Sequence, residues 1–294
     1  MNLIFNLFSI KNVKDRKHTP SVFFLFLLIF NGCVKENEVP AYISIPSFSF
    51  TTVLGQGTAA QKISDVWVFV DGQSLGAYQI PARFPVVGAG KHEFLLFPGI
   101  RNNGIRSNPV VWGTAKTYTS ILTLNAGDEQ TIRPTSSYAD VSKIWINEDF
   151  ERANTFTINR DNNAAVNFTT VPNGFEGNGA SITLTKTTPV MEKASAIKAQ
   201  LPDAAQVSII ELHYKTDVPL TVGIVGSSTT LPNGEAVYKI ILSPNKDWNK
   251  TYIDVTAEAK LLKAKDYQIV FRAALQDSLS QGVILIDNVK LVQK

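Results

Sequence analysis

The sequence predicts an all-β protein built from two β-sandwich domains. Two observations lead to this prediction: short apolar segments with period-two alternation recur along the chain, and turn-forming residues separate them. Only residues 256–261 carry a pattern that suits a helix. We expect a small sandwich over residues 41–134, a linker around residues 135–137, and a larger sandwich over residues 139–294.

The small sandwich contains the strongest local turn signal of the chain. Asp71-Gly72 lies between two strand-like segments, residues 65–70 and 73–78, and this dipeptide suits a hairpin turn whose two central residues both need positive φ. Residues 42–50 alternate around Pro46, which predicts an edge strand. The prolines and glycines of residues 81–90 predict a loop.

One set of residues in the small sandwich carries a family resemblance. The segments VDG at residues 70–72 and GKHEF at residues 90–94, with Gly76 and Pro81 between them, resemble PEGA-type and related immunoglobulin-like modules of bacterial envelope proteins. The resemblance implies a spacer or an interaction domain. Residues 99–106, a polar loop with two arginines, are either solvated or a contact site for a partner.

The larger sandwich has about nine strand-like segments, which favours a jelly roll. Its segments NEDFE at residues 147–151, GFEGNGASI at residues 174–182 and VILIDNVKL at residues 283–291 resemble the carbohydrate-binding-module jelly rolls of the galactose-binding-like superfamily. The resemblance implies the fold and, more weakly, a glycan ligand.

The same resemblance implies a structural calcium ion that ties the first and last strands of the jelly roll together. The matching positions are Glu151, Asn178 and Asp287, with Glu176 as a further candidate. Calcium accepts six to eight oxygen ligands of mixed carboxylate and carbonyl type. The alternative is that Asp287 bonds only to local backbone groups.

A glycan site needs an exposed aromatic ring and polar groups that bond to hydroxyls. The tentative ligand-binding residues are Trp248, Tyr214, Tyr238, Tyr252 and Arg272. The alternative for each aromatic residue is packing in the core, because half of the side chains of an alternating strand face inward.

The N-terminal segment predicts lipid anchoring. An apolar run at residues 22–30 is too short to span a bilayer, and it follows four basic residues, Lys11, Lys14, Arg16 and Lys17. We therefore expect residues 1–32 to be a signal peptide. Residues 30–33, FNGC, resemble the lipobox of bacterial lipoproteins, which implies that Cys33 carries acyl chains such as palmitate; the alternative is a free buried thiol.

Residues 33–40 would then form an acylated tether. VKENE at residues 34–38 resembles the export signal of Bacteroidota surface lipoproteins, although it would also suit a plain solvated tether. The expected location is the outer membrane, at the cell surface, with the membrane as a partner through the lipid anchor.

Charge and cysteine content exclude several classes of function. Four of the 28 basic residues and one of the 25 acidic residues precede Cys33, so the remainder carries 24 of each sign. Nucleic-acid binding, which requires clustered basic residues, is therefore not expected. One cysteine allows neither an internal disulfide nor a cysteine-based metal site.

Three functions remain. The leading hypothesis is a non-catalytic surface lipoprotein that binds glycans or adheres through the jelly roll. The second is a structural or assembly component of the envelope that binds another protein. The third is a hydrolase that uses Glu148, Asp149 and Glu151; it is disfavoured because Glu148 points to the opposite strand face from the other two. No catalytic residue and no catalytic cofactor is predicted.

Overall fold

The computed structural model describes residues 39–228 and 233–294. The predictions for the signal peptide, for Cys33 and for most of the tether fall outside the described residues. Across the described residues, no helix combines the length and the apolar character that crossing a bilayer requires. The described chain is nearly all strand and turn, with one helix of seven residues, so the all-β prediction is confirmed.

Ten strands form the first part of the structure, which we call the N-terminal sandwich. They are β1 (Ala41–Ile45), β2 (Ser49–Phe50), β3 (Asp65–Val70), β4 (Gln73–Gln79), β5 (Ala82–Val86), β6 (Gly90–Arg101), β7 (Pro109–Val111), β8 (Tyr118–Leu124), β9 (Glu129–Thr131) and β10 (Thr135–Ser136).

Two sheets of the N-terminal sandwich enclose its core. One sheet has the order β5-β1-β9, and the other has the order β4-β3-β6-β7 with β8 also paired to β6. Side chains alternate between buried and half-exposed along β1 because successive residues of a strand point to opposite faces. Phe84, Phe94 and Leu96 fill the space between the two sheets.

Three local predictions for this sandwich have different outcomes. The hairpin turn is confirmed, since Asp71 (φ 51°) and Gly72 (φ 78°) both have positive φ and join β3 to β4. The edge-strand prediction is wrong, because β1 lies between two neighbours. The loop prediction for residues 81–90 misses β5, in which Pro85 pairs with Tyr42 of β1.

Eleven strands and the helix form the second part, which we call the C-terminal sandwich. They are β11 (Lys143–Glu148), β12 (Ile158–Asn159), β13 (Thr169–Pro172), β14 (Asn178–Thr185), β15 (Val190–Ala194), β16 (Ser208–Thr216), β17 (Leu220–Ser227), β18 (Glu235–Leu242), β19 (Asn245–Asp254), α1 (Thr256–Leu262), β20 (Asp266–Ala274) and β21 (Gln281–Gln293).

The C-terminal sandwich packs two antiparallel sheets face to face. The inner sheet has the order β13-β14-β21-β16-β19, with β11 also paired to β21. The outer sheet has the order β12-β15-β20-β17-β18. Ile210 and Leu212 of β16 pack in the same buried cluster as Phe271 of β20, and this cluster forms the main core.

The other face of the inner sheet is covered by the N-terminal sandwich. Tyr252 lies with its ring centroid 5.0 Å from that of Trp112, which in turn stacks on Phe50 at 4.5 Å. Ile209 and Val292 of the inner sheet belong to the same buried cluster. The two sandwiches therefore share an apolar interface.

The segment between the sandwiches is ordered by strand pairing. Residues 135–136, expected to be part of a linker, form β10, which pairs in parallel with β2. Residues Val39–Lys294 make up one compact unit. The division into domains at residues 134 and 139 stays a prediction.

The loop at residues 99–106 lies along the edge of the inner sheet. The backbone N–H of Asn103 donates to the carbonyl oxygen of Tyr252 at 2.9 Å, and Asn103 Oδ1 accepts from the N–H of Asp254 at 3.2 Å. Exposed edges of sheets invite pairing with other chains, and here the loop occupies part of the β19 edge. The backbone of the 99–106 loop therefore forms hydrogen bonds with β19 of the same chain.

Candidate functional site

Three rings meet at one end of the inner sheet, and we call them the aromatic patch: Phe175, His213 and Trp248. The rings of Phe175 and His213 stack with centroids 3.8 Å apart and planes 13° apart. The Trp248 ring stands edge-on to Phe175 at 6.3 Å. Phe175 is 39 % exposed, Trp248 is half-buried and His213 is buried. The patch therefore offers aromatic surface to solvent.

Strand register brings two of these rings together. His213 of β16 pairs with Lys250 of β19, and Trp248 lies two residues before Lys250. Residues two apart on a strand share a face, so His213 and Trp248 lie on the same face of the inner sheet. Phe175 comes from the turn between β13 and β14.

Two carboxylates hold the turn that carries Phe175. Glu151 accepts hydrogen bonds from the backbone N–H of Asn178 at 2.6 Å and from its Nδ2 at 3.0 Å. Asp287 Oδ2 accepts from the N–H of Glu176 at 3.0 Å. Gly177 has φ 58°, a left-handed conformation that favours glycine, and a Cβ there would contact the carboxylate of Glu151.

The four residues predicted to bind calcium are the same residues that shape this turn. The carboxylates of Glu151 and Asp287 face N–H donors, and Asp287 Oδ1 also accepts from the N–H of Asn288 at 2.6 Å. The described residues contain no group of three or more acidic, histidine or cysteine side chains suited to a metal ion. Calcium binding stays a prediction.

A buried charged cluster lies next to the aromatic patch. Glu211 Oε2 accepts from Tyr138 Oη at 3.0 Å and lies 3.4 Å from Lys250 Nζ. Lys290 Nζ donates to the carbonyl oxygen of Thr58 at 2.8 Å and to Tyr138 Oη at 3.3 Å. Burial lowers the pKa of Lys290 to about 8, although Glu211 acts in the opposite direction. The cluster links the two sandwiches by polar contacts.

Burial also controls the ionisation of two groups at the patch. The pKa of His213 falls to about 3 because of burial and the nearby ammonium groups of Lys250 and Lys290. The pKa of Asp287 rises to about 6, again mainly because of burial, against the lowering effect of its backbone donors. His213 is therefore neutral at pH 7.

Of the five residues predicted to bind a ligand, Trp248 alone belongs to the aromatic patch. Tyr214 and Tyr252 are only 6 % and 2 % exposed, and their rings pack in apolar clusters. The hydroxyl of Tyr214 accepts from Asn249 Nδ2, and that of Tyr252 accepts from the N–H of Lys62. These two predictions are corrected, because a buried ring cannot offer a stacking face.

The other two predicted residues lie on the outer sheet. The Arg272 guanidinium is 5.9 Å from the centre of the Tyr238 ring. Burial, followed by a hydrogen bond to Glu192, raises the pKa of Tyr238 to about 12. Tyr238 and Arg272 thus form a separate cluster, which is not joined to the aromatic patch.

The sequence reading missed Phe175 and His213. Phe175 lies between Gly174 and Gly177 in the quoted glycine-rich segment, and an aromatic residue in such a turn was an available signal. His213 gave no signal, since it lies with Glu211 and Lys215 on the strand face opposite to the core residues of β16, and the sequence does not show what covers that face.

The acidic residues considered for a hydrolase have structural partners. Glu148 is buried, and its two carboxylate oxygens accept the N–H groups of Phe150 and Thr155, each at 2.8 Å. Glu151 holds the turn described above. Asp149 accepts from the N–H of Glu151 at 3.1 Å. These contacts account for the three carboxylates as turn-stabilising groups.

Comparisons with known proteins give distant structural similarities. No family model and no curated protein matches the sequence. A solved structure that concerns promiscuous specificity in carbohydrate-binding modules of the β-sandwich superfamily is similar at 13 % identity and a TM-score of 0.38, over 77 % of this chain and 84 % of that chain.

Two further solved structures have similar values. A family 11 carbohydrate-binding module from Clostridium thermocellum, in complex with a mixed-linked tetrasaccharide, has 16 % identity and a TM-score of 0.36 over 51 % of this chain and 94 % of its own. TmCBM61, in complex with β-1,4-galactotriose, has 15 % identity and a TM-score of 0.34 over 52 % of this chain and 99 % of its own. At these identities and TM-scores, the similar structures do not indicate which ligand this chain binds.

Proposed function

We propose that this protein is a non-catalytic, lipid-anchored cell-surface protein that binds glycans through its aromatic patch. The observation that supports the proposal is the exposed ring of Phe175 beside Trp248, at the end of the inner sheet.

The chemistry of the patch suits a sugar ring. The C–H groups of a pyranose pack against an aromatic face, and nearby polar groups bond to its hydroxyls. Glu176 adjoins Phe175 and Asp247 adjoins Trp248, and both carboxylates are exposed. The buried His213 ring stacks on the inner face of the Phe175 ring, so the aromatic surface is ordered before a ligand binds.

A glycan array tests this function. We would use the chain from residue 34 onward, which contains the whole compact unit Val39–Lys294, in calcium and again in EDTA. Trp248→Ala and Phe175→Ala should each weaken a saturable hit at least about tenfold, because each removes a stacked ring. Sensitivity of the binding to EDTA would support the calcium prediction.

The N-terminal sandwich offers a matched control. Phe69 and Phe97 form an edge-to-face pair with centroids 5.4 Å apart, which resembles the geometry of Phe175 and Trp248. Phe97→Ala should leave glycan binding unchanged. If a folded protein binds no glycan, or if Phe97→Ala weakens binding as much as Trp248→Ala does, the patch is not a glycan site.

The lipid anchor needs a separate test. Acylation at Cys33, followed by export to the outer membrane surface, is proposed from the resemblance of residues 30–38 to lipoprotein signals. Labelling with a palmitate analogue should mark the wild-type protein, and Cys33→Ser should lose both the label and the membrane association. Label that persists in Cys33→Ser would contradict the assignment.

A further inference from the structure

A concave surface lies where the 99–106 loop meets β19, on the side of the N-terminal sandwich. This cleft has a volume of about 470 Å³. Four basic side chains line it, and its lining contains no acidic residue: Lys62, Arg101, Arg106 and Lys250. We call it the basic cleft.

Two of the four charges have carboxylate partners. Arg101 donates to Asp65 Oδ1 at 2.9 Å, and Lys250 lies 3.4 Å from Glu211. Neither Lys62 nor Arg106 has an ion-pair partner within the described part of the chain. The basic cleft therefore keeps two uncompensated positive charges.

Two buried polar side chains of β19 lie behind the exposed rim of the basic cleft. Lys250 Nζ lies 3.4 Å from Glu211 Oε2, and Thr251 Oγ1 has no hydrogen-bond partner among the described residues. Since neighbouring residues of a strand point to opposite faces, these two side chains do not face one ligand group, and the exposed Lys62 and Arg106 are the residues open to an anion. Burial also lowers the pKa of Lys62, and an anion beside it would offset that effect.

The basic cleft and the aromatic patch share one strand. Trp248 of the patch and Lys250 of the cleft lie two residues apart on the same face of β19, a separation of ~7 Å. A single extended ligand can therefore reach both sites.

We propose that the basic cleft binds the carboxylate or sulfate group of an acidic saccharide whose neighbouring sugar contacts the aromatic patch. This inference rests on the proposed glycan-binding function and narrows its ligand class. Lys62 and Arg106 bind the oxyanion from the rim, because charge-assisted hydrogen bonds to an anion are stronger than those to a neutral oxygen. Asn249, which accepts from Lys62 Nζ at 2.5 Å, orients the lysine.

The test compares each neutral oligosaccharide with its uronate and sulfated counterparts, by titration calorimetry at low and moderate salt. The wild-type protein should bind an acidic member more tightly than the neutral one. The double variant Lys62→Gln/Arg106→Gln should lose about tenfold or more of the affinity for the acidic member and keep the affinity for the neutral one. The control Arg133→Gln/Lys260→Gln removes the same charge from exposed positions elsewhere.

The outcomes separate the two proposals. Equal binding of neutral and acidic members, or an acidic preference that survives in Lys62→Gln/Arg106→Gln, overturns the basic cleft and leaves the aromatic patch standing. Acidic binding that depends on Lys62 and Arg106 but not on Trp248 supports the cleft and overturns the patch. Equal losses in the test and control variants indicate a general charge effect and overturn the cleft.

Discussion

Tyr138 Oη donates a 3.0 Å hydrogen bond to Glu211 Oε2, and both side chains are buried between the two sandwiches. Tyr138 directly follows the last strands of the N-terminal sandwich, and Glu211 lies in the middle of β16. A buried carboxylate needs donors on its oxygens, because leaving it unpaired in a medium of low dielectric is costly. This bond is therefore one of the buried polar links across an interface that also has an apolar part.

We expect Tyr138→Phe to lower the free energy of unfolding by about 1.5–3 kcal/mol, the usual range for hydrogen bonds to a charged group. The measurement is urea denaturation followed by tryptophan fluorescence. Tyr118→Phe is the control, since the Tyr118 hydroxyl has no hydrogen-bond partner among the described residues. Equal changes in the two variants would contradict a special role for the Tyr138 bond.

The apolar part of the interface predicts a larger effect. Trp112 is fully buried against Phe50, Tyr138 and Tyr252. Trp112→Ala should cost about 3–5 kcal/mol, the range for removing a large buried aromatic side chain. We also expect unfolding to change from one transition to two in calorimetry, because the two sandwiches lose their shared core. A single transition at an unchanged temperature would refute this.

Substitution of two glycines in one loop, Gly55 and Gly57, distinguishes the cost of backbone strain from the cost of a steric clash. Both have positive φ, 87° at Gly55 and 70° at Gly57. A Cβ at Gly55 meets nothing within 4 Å, whereas one at Gly57 would lie 2.5 Å from Asn147 Oδ1 and 2.9 Å from Lys290 Cε. Lys290 is fully buried, and its Nζ is held by hydrogen bonds to Thr58 and Tyr138.

Gly55→Ala should therefore cost about 1–2 kcal/mol from the left-handed backbone alone. Gly57→Ala should cost a further ~1–3 kcal/mol from overpacking. Guanidinium denaturation of both variants measures the difference. Equal losses in the free energy of unfolding would mean that the loop shifts to accommodate the added Cβ at Gly57.

The depressed pKa of His213 predicts how stability depends on pH. Since its pKa is about 3 in the folded protein and near 6.5 in an unfolded chain, the unfolded state binds a proton first as the pH falls. This residue's contribution is fully present above pH ~6.5 and decreases below it, by at most about 1.4 kcal/mol per pH unit. His213→Gln should remove that decrease.

The check is a series of denaturation curves for the wild type and His213→Gln between pH 7 and pH 4. The stability of the variant relative to the wild type should rise as the pH falls. Parallel profiles would show that His213 has the same pKa in the folded and unfolded states, which would contradict the lowered pKa.

Local sequence patterns predict most of the strands and turns of the fold. The hairpin at Asp71-Gly72 and the alternation in β1 and β14 depend on neighbouring residues, which the sequence displays directly. The placement of β1 in the middle of its sheet depends on β9, a strand more than eighty residues later, and no local signal gives that pairing. The loop prediction missed β5 because proline usually indicates a loop. Here Pro85 lies in an edge strand, and edge strands tolerate proline.

The candidate site was less accessible to sequence reading. The sequence predicts Trp248 as a ligand-binding residue, but its partners Phe175 and His213 come from two other elements, and only the folded structure brings the three rings together. Tyr214 and Tyr252 were misplaced because alternation reveals that two faces exist and does not say which of them is covered. The basic cleft gave a partial sequence signal, because Arg101 and Arg106 lie in the polar 99–106 loop, whereas Lys62 and Lys250 join them only when the two sandwiches dock.

The central position of β1 also determines how the protein resists a mechanical load. A force applied at Val39 while the aromatic patch is held by a ligand would enter the fold through β1, whose five residues all pair with β5 and three of which pair with β9. Pulling along the strand loads these ladders in shear, so their hydrogen bonds must break together and not one at a time. The shared apolar interface then passes the load to the inner sheet, and the first element to yield should be β1.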